Sequence, residues 1–187
     1  MKTVVVKTLG CKVNQCESEA IQNALLSSGG GYTTSDGGPA DVVIVNTCTV
    51  TAKAAMQSRQ AVRQAVRAHP GARVVVTGCH AHTAGAELAA IDGVDLIVDN
   101  DNKHRIPEQL LDQPTPASAG ALPPRQADRT AAPLFATLAG LPHGRRTRPF
   151  LKIQDGCDAF CTYCIVPHAR GRSRSMPMQA VLGHIGQ

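Results

Sequence analysis

An α/β fold, with an N-terminal doubly wound parallel sheet and one further βα unit behind it, is what this sequence predicts. Three observations predict it. Short Val-rich runs recur through the first half, at TVVVKTLGC, DVVIVNTC and RVVVTGC, and each is continuously apolar, as strands covered on both faces are. Stretches of helical spacing separate these runs, so strand and helix alternate. Apolar residues make up 43% of the chain, with three Phe, two Tyr and no Trp, which leaves the core to Val, Ile, Leu and Ala.

The elements follow in order. TVVVKTLGC supplies the first strand, and ESEAIQNALLSSGG the helix after it, closed by glycine. The glycine-rich SSGGGYTTSDGGPAD reads as a loop, because it leaves a helix and enters a strand. No G-x-G-x-x-G follows the first strand, so a dinucleotide site has no support. DVVIVNTC is the second strand. TAKAAMQSRQAVRQAVRAHPG is its helix, in which Ala55, Arg59 and Val62 keep helical spacing until Pro70 and Gly71. RVVVTGC, the helical HTAGAELAAI, a fourth apolar run VDLIVDN and the helical NKHRIPEQLLD complete a domain over residues 1–112. Residues 113–148, rich in Pro, Ala and Gly without periodicity, read as an extended connector that ends in Arg145, Arg146 and Arg148. Residues 149–187 begin with a strand, PFLKIQDGC, and run into a helix, SMPMQAVLGHIG. A lone strand cannot stand in water. This unit therefore either joins the first sheet or belongs to a larger fold, and the second is expected.

Charge is unevenly spread. Residues 1–112 carry ten Lys and Arg against eleven Asp and Glu (−1), whereas residues 113–187 carry nine against three (+6). That asymmetry points to a polyanionic partner on the second side. The opening MKTVVVKTLGCKVN has a three-valine run, too short for a secretory leader, and no segment nears the roughly 20 apolar residues of a membrane span. A cytoplasmic location with no membrane contact is expected. In that reducing compartment seven cysteines suit metal binding or thiol chemistry better than disulfides.

Cys11, Cys48 and Cys79 each stand just beyond the end of a Val-rich strand. In a parallel sheet those ends share one edge, where ligand sites form, so three thiols distant in sequence converge there. The competing reading makes each a small buried hydrophobe. Cys16, five residues after Cys11, either joins that edge or stands by, and His80 and His82 beside Cys79 are either ligands or ordinary loop residues. Further on, DGCDAFCTYCIVPHARGRSRS sets Cys157, Cys161 and Cys164 in a C-x3-C-x2-C array. Structural zinc asks for four ligands, and only His168 lies near enough to be a fourth. An iron–sulfur cubane suits three close thiolates and leaves one iron open to a substrate. Arg170, Arg172 and Arg174 after the array either touch RNA or offset the negative charge of such a cluster. No paired carboxylates and no Ser/His/Asp arrangement point to acid–base or acyl-transfer chemistry.

Four motifs together, TLGCKVN, NTCTVT, VTGC and LKIQDGCDAFCTYCIVPHARGRSRS, resemble the radical S-adenosylmethionine methylthiotransferase family. The resemblance implies that Cys157, Cys161 and Cys164 hold a [4Fe–4S] cluster whose open iron chelates S-adenosylmethionine, with Tyr163 against the adenine. It implies that Cys11, Cys48 and Cys79 hold an auxiliary [4Fe–4S] cluster that carries sulfur. One electron from a reducing donor then opens the cofactor to a 5′-deoxyadenosyl radical, and sulfur and a methyl group are placed on C2 of an adenosine. TLGCKVN is similar to the subgroup acting on N6-threonylcarbamoyladenosine in the tRNA anticodon loop. The alternatives are isopentenyladenosine tRNA, a ribosomal protein side chain, or a metal-binding RNA module without chemistry. Radical barrels of this kind run to about 250 residues, so residues 149–187 correspond to the first βα unit alone. The chain is expected to be an N-terminal fragment, inactive by itself.

Overall fold

The computed structural model describes residues 1–35, 38–112 and 150–185. The connector read at 113–148, with Arg145, Arg146 and Arg148, lies outside them. The first region runs β1 (Lys2–Thr8), α1 (Lys12–Ser27), β2 (Tyr32–Thr34), β3 (Val42–Thr47), α2 (Ala52–Ala68), β4 (Arg73–Gly78), α3 (Cys79–Thr83), α4 (Gly85–Ala89), β5 (Leu96–Val98) and α5 (Ile106–Asp112). The second holds β6 (Gln154–Asp155), α6 (Val166–Arg170), β7 (Arg174–Ser175) and α7 (Met178–Ile185). No helix among the described residues is long and apolar enough to cross a membrane.

The sheet is parallel throughout, in the order β2-β1-β3-β4-β5. Its pleat sorts the valines. Val4, Ile44, Val75, Leu96 and Val98 face one layer with Ile21 and Leu25 of α1 and Ile106 and Leu110 of α5. Val43, Val45, Val74, Val76 and Ile97 face the other, with Ala61, Val62 and Ala65 of α2 and Leu88 of α4. The doubly wound reading is borne out, down to the continuous apolar runs that two covered faces require. Chain winding reverses between β1 and β3, and in open α/β sheets that is where a crevice opens beyond the strand ends.

Two elements differ from expectation. Inside the glycine-rich loop, Tyr32–Thr34 forms an edge strand in register with Lys2–Val4. Tyr32 turns inward, its hydroxyl donating to the Leu110 carbonyl at 3.4 Å, and Gly30 makes room, since a Cβ there would meet the Tyr32 ring at 2.8 Å. The strand read in PFLKIQDGC contracts to two residues, β6, which pair antiparallel with β7 and do not join the first sheet. Lys152 points inward while Ile153 is 54% exposed, so this stretch follows a charged partner rather than an apolar face.

Candidate functional site

Cys11 follows β1, while Cys48 and Cys79 directly follow β3 and β4, so the three thiols gather along one edge around the winding reversal. Cys48 and Cys79 are buried and Cys11 is exposed. Burial pushes the Cys48 thiol above its ordinary value, and the neighbouring Cys79 and Cys11 push it further. A thiol that is dehydrated and crowded by two others in this way suits a cationic guest, which would relieve both effects.

The edge is built by polar side chains tying strand ends together. Asn14 donates to the Leu9 carbonyl at 2.8 Å and the Thr47 carbonyl at 3.0 Å. Asn46 donates to the Asn14 carbonyl at 3.0 Å and to Ser18 Oγ at 2.9 Å. Thr47 Oγ1 donates to the Thr77 carbonyl at 2.6 Å and accepts from the Ala81 N–H at 3.2 Å. Ser58 accepts the Cys48 N–H at 3.0 Å and returns a bond to its carbonyl at 2.7 Å. Gly10 holds φ at +96°, and a Cβ there would stand 2.6 Å from Cys48 Sγ. Only glycine leaves that space beside the sulfur.

Cys157, Cys161 and Cys164 share one loop, with Cys161 exposed and the other two half-buried. The Cys157 N–H donates to the Gly171 carbonyl at 3.1 Å, closing the loop base, and the Cys164 N–H donates to the Cys161 carbonyl at 2.9 Å. Gly156 at φ +73° lets this base close, because a Cβ would overlap the Arg172 carbonyl. Between the first two cysteines Phe160 holds φ at +45°, a left-handed conformation rare outside glycine. Its ring stands edge-on to His168 at 6.1 Å and beneath the Arg172 guanidinium at 5.4 Å. Tyr163 is 90% exposed.

A buried cluster of charges joins the two regions. Glu17 accepts Lys103 at 2.6 Å, Lys152 at 2.6 Å and Arg170 at 3.0 Å, while Asp155 accepts Lys152 at 2.7 Å and Arg170 at 2.9 Å. Burial opposes ionisation of Glu17, yet Lys103, Arg170 and Lys152 hold its carboxyl well below the usual range. Arg170 is therefore an interior residue, and the reading that sets it on RNA is corrected. Arg172 remains on the surface, its side chain 78% exposed.

Residues 3–99 match the family described as Uncharacterized protein family UPF0004. The chain belongs to the UPF0004 family. It is 40% identical over 188 residues to the "Threonylcarbamoyladenosine tRNA methylthiotransferase MtaB" of Bacillus subtilis, covering 97% of this chain and 40% of that protein. Its identity to the protein of that name from Aquifex aeolicus is 36%, over 97% of this chain and 43% of the relative. The "tRNA-2-methylthio-N(6)-dimethylallyladenosine synthase" of Novosphingobium aromaticivorans is 37% identical, over 94% of this chain and 39% of its own length. The chain thus spans about two-fifths of these curated relatives. The methylthiotransferase resemblance of the four motifs is borne out at the level of the family.

Within this UPF0004 chain, no three His, Cys, Asp or Glu side chains among the described residues converge on a point as a single metal ion requires. His168 stands edge-on to the Phe160 ring at 6.1 Å. A cubane is a larger body, taking each thiolate on a different iron, and buried Cys48 and Cys79 with exposed Cys11 fit its donor chemistry. Cys16 lies apart from the trio: it is buried in α1 with its thiol against the Phe150 carbonyl at 3.5 Å. His80 is buried, with Nδ1 3.3 Å from Thr49 Oγ1 and Nε2 3.7 Å from Glu87, and burial lowers its pKa. Sequence reading missed Asn14, Glu17, Lys103, Lys152 and Asp155. Each resembles a surface residue until its partner, up to 156 positions away, is known.

Proposed function

We propose that this chain is the cluster-binding portion of a tRNA methylthiotransferase that acts on N6-threonylcarbamoyladenosine in the anticodon loop. Residues 1–112 carry Cys11, Cys48 and Cys79 as ligands of an auxiliary [4Fe–4S] cluster, and 149–187 carry Cys157, Cys161 and Cys164 as ligands of the radical cluster, with 113–148 as the connector. The observation that carries this reading is the docking of the two cysteine regions, with α6, which begins two residues after Cys164, packed against α3, which begins at Cys79. When bound, the clusters supply the electron that opens S-adenosylmethionine and the site at which sulfur is handled. The chain's own part is to seat and orient. Gly10 leaves space beside Cys48, Ser58 fixes the Cys48 backbone, and Gly156 closes the base of the second loop. Exposed Tyr163 is the flat surface offered to the adenine.

Relatives named for threonylcarbamoyladenosine, together with TLGCKVN, support that substrate, while the Novosphingobium relative favours dimethylallyladenosine as the second reading. Anaerobic reconstitution should load about eight irons per chain, as two cubanes, and alanine at either trio should leave about four. Zinc, or four irons lost only with one trio, would count against it. Deleting the gene and digesting cellular tRNA separates the substrates: loss of the methylthio mark from threonylcarbamoyladenosine supports the first, and loss from the isopentenyl nucleoside the second.

A further inference from the structure

Five charged side chains are buried together where the cysteine regions meet: Glu17, Lys103, Lys152, Asp155 and Arg170. Three cations face two anions, a formal excess of one positive charge. Removing an ion from water costs several kcal/mol, and such a group persists only where partners close around it. Arg170 closes it most completely. Its Nη1 meets Glu17 Oε1 at 3.0 Å and Asp155 Oδ1 at 2.9 Å, and its Nη2 meets Glu17 Oε2 at 3.2 Å and Asn14 Oδ1 at 2.5 Å.

The contact with Asn14 reaches the cysteine edge. The same amide donates to the Leu9 and Thr47 carbonyls, two residues before Cys11 and one before Cys48. On the other side, the Ala169 carbonyl accepts Asn100 Nδ2 at 2.6 Å, and α6 rests on α3, the helix that opens with Cys79. One side chain thus touches the support of two cysteines, and its helix packs on the helix that begins with the third.

We infer that Arg170 is a positioning residue for the auxiliary trio: through Asn14 it seats the loops of Cys11 and Cys48, and it presents a buried positive charge to whatever anion the three thiolates hold. This rests on the reading of Cys11, Cys48 and Cys79 as cluster ligands. Thiolate-bound cubanes are anionic, and nearby charge sets their reduction potential. A clamp between two regions would need only that the charges match. A positioning cation must also make the potential follow the sign of the charge removed.

The test uses the full chain with Cys157, Cys161 and Cys164 changed to Ala, reconstituted anaerobically with iron and sulfide so that one cluster remains. Its midpoint potential is measured by EPR-monitored titration in four forms: parent, R170Q, R170K and E17Q. Arg170→Gln should move the potential negative and Glu17→Gln should move it positive, while Arg170→Lys, which keeps the charge, stays near the parent. Potentials that are unchanged, or that move the same way in R170Q and E17Q, overturn the inference. Failure of all three variants to fold means a clamp alone and overturns it too. A parent that takes up no iron overturns the cluster reading instead.

Discussion

Glu17 on α1 and Arg170 at the end of α6 stand 153 positions apart in the chain and meet in a buried ion pair, Nη1 to Oε1, at 3.0 Å. Neither residue reaches solvent to any useful extent, Glu17 being 0% exposed. The pair is the joint by which a loop of three cysteines is held against a sheet edge carrying three more.

Glu17→Ala should strip the joint of its central anion and leave Lys103, Lys152 and Arg170 buried around the gap. Removing one partner from a buried pair costs about 3–5 kcal/mol. Urea unfolding followed by circular dichroism measures it, and a loss under about 1 kcal/mol would contradict the account.

Acid should weaken the fold through the same group. Burial pushes the Glu17 and Asp155 carboxyls up, but the surrounding Lys and Arg more than offset it and both end below their ordinary values. The unfolded chain then takes up protons before the folded one does. Their contribution is complete above the ordinary carboxylate range, about pH 4, and is lost as pH falls through the lower folded values. Melting temperature measured from pH 7 to pH 3 should drop at the acid end, and Glu17→Gln should flatten that drop.

Gly78→Ala should be among the costliest single methyl additions in the sheet. Gly78 holds φ at +98°, and its Cβ would overlap the Thr47 carbonyl and stand 2.5 Å from Asn46 Oδ1. Gly29→Ala is the control, because φ there is +72° yet nothing lies within 4 Å of the added atom. Both pay the backbone strain of about 1–3 kcal/mol; Gly78→Ala should lose measurably more in thermal unfolding.

Tyr163→Ala should leave stability within about 0.5 kcal/mol, as exposed surface changes do. Calorimetric affinity of the iron-loaded chain for S-adenosylmethionine should fall. A drop in melting temperature with unchanged affinity would give Tyr163 a packing role instead.

Native alkylation should rank the cysteines by exposure. Cys11 and Cys161 are exposed, whereas Cys16 is buried and its thiol is pushed up by that burial, which starves it of reactive thiolate. Mass spectrometry of briefly treated protein should find Cys16, like the equally buried Cys48 and Cys79, labelled after Cys11 and Cys161. Early labelling of Cys16 would restore it as a competitor for the cluster.

Local patterns were readable where local physics decides. Runs such as Val42–Val45 can only be doubly covered strands, and the placing of Cys48 and Cys79 directly after such runs located the edge. Tyr32–Thr34 was hidden because it is three residues long and sits among glycines. The 150s misled more deeply. In LKIQD the apolar residues suggest the inward face, yet Lys152 takes it to reach Glu17, an anion 135 positions back. Pairings of that separation leave no periodic trace in either segment. Arg170 stands out for its charge alone, and of its two readings the burial against Glu17 removes only the one that sets it on RNA.

The notch between the ends of β1 and β3 owes its existence to how the chain is wound: one outgoing loop climbs to the α1 layer, the other to the α2 layer, and they part. Valine, isoleucine and leucine can be traded beneath it at little cost, whereas its lips, Gly10, Cys11, Asn14 and Cys48, have no such latitude. Drift in this chain should therefore be lopsided, with a forgiving interior under an unforgiving rim.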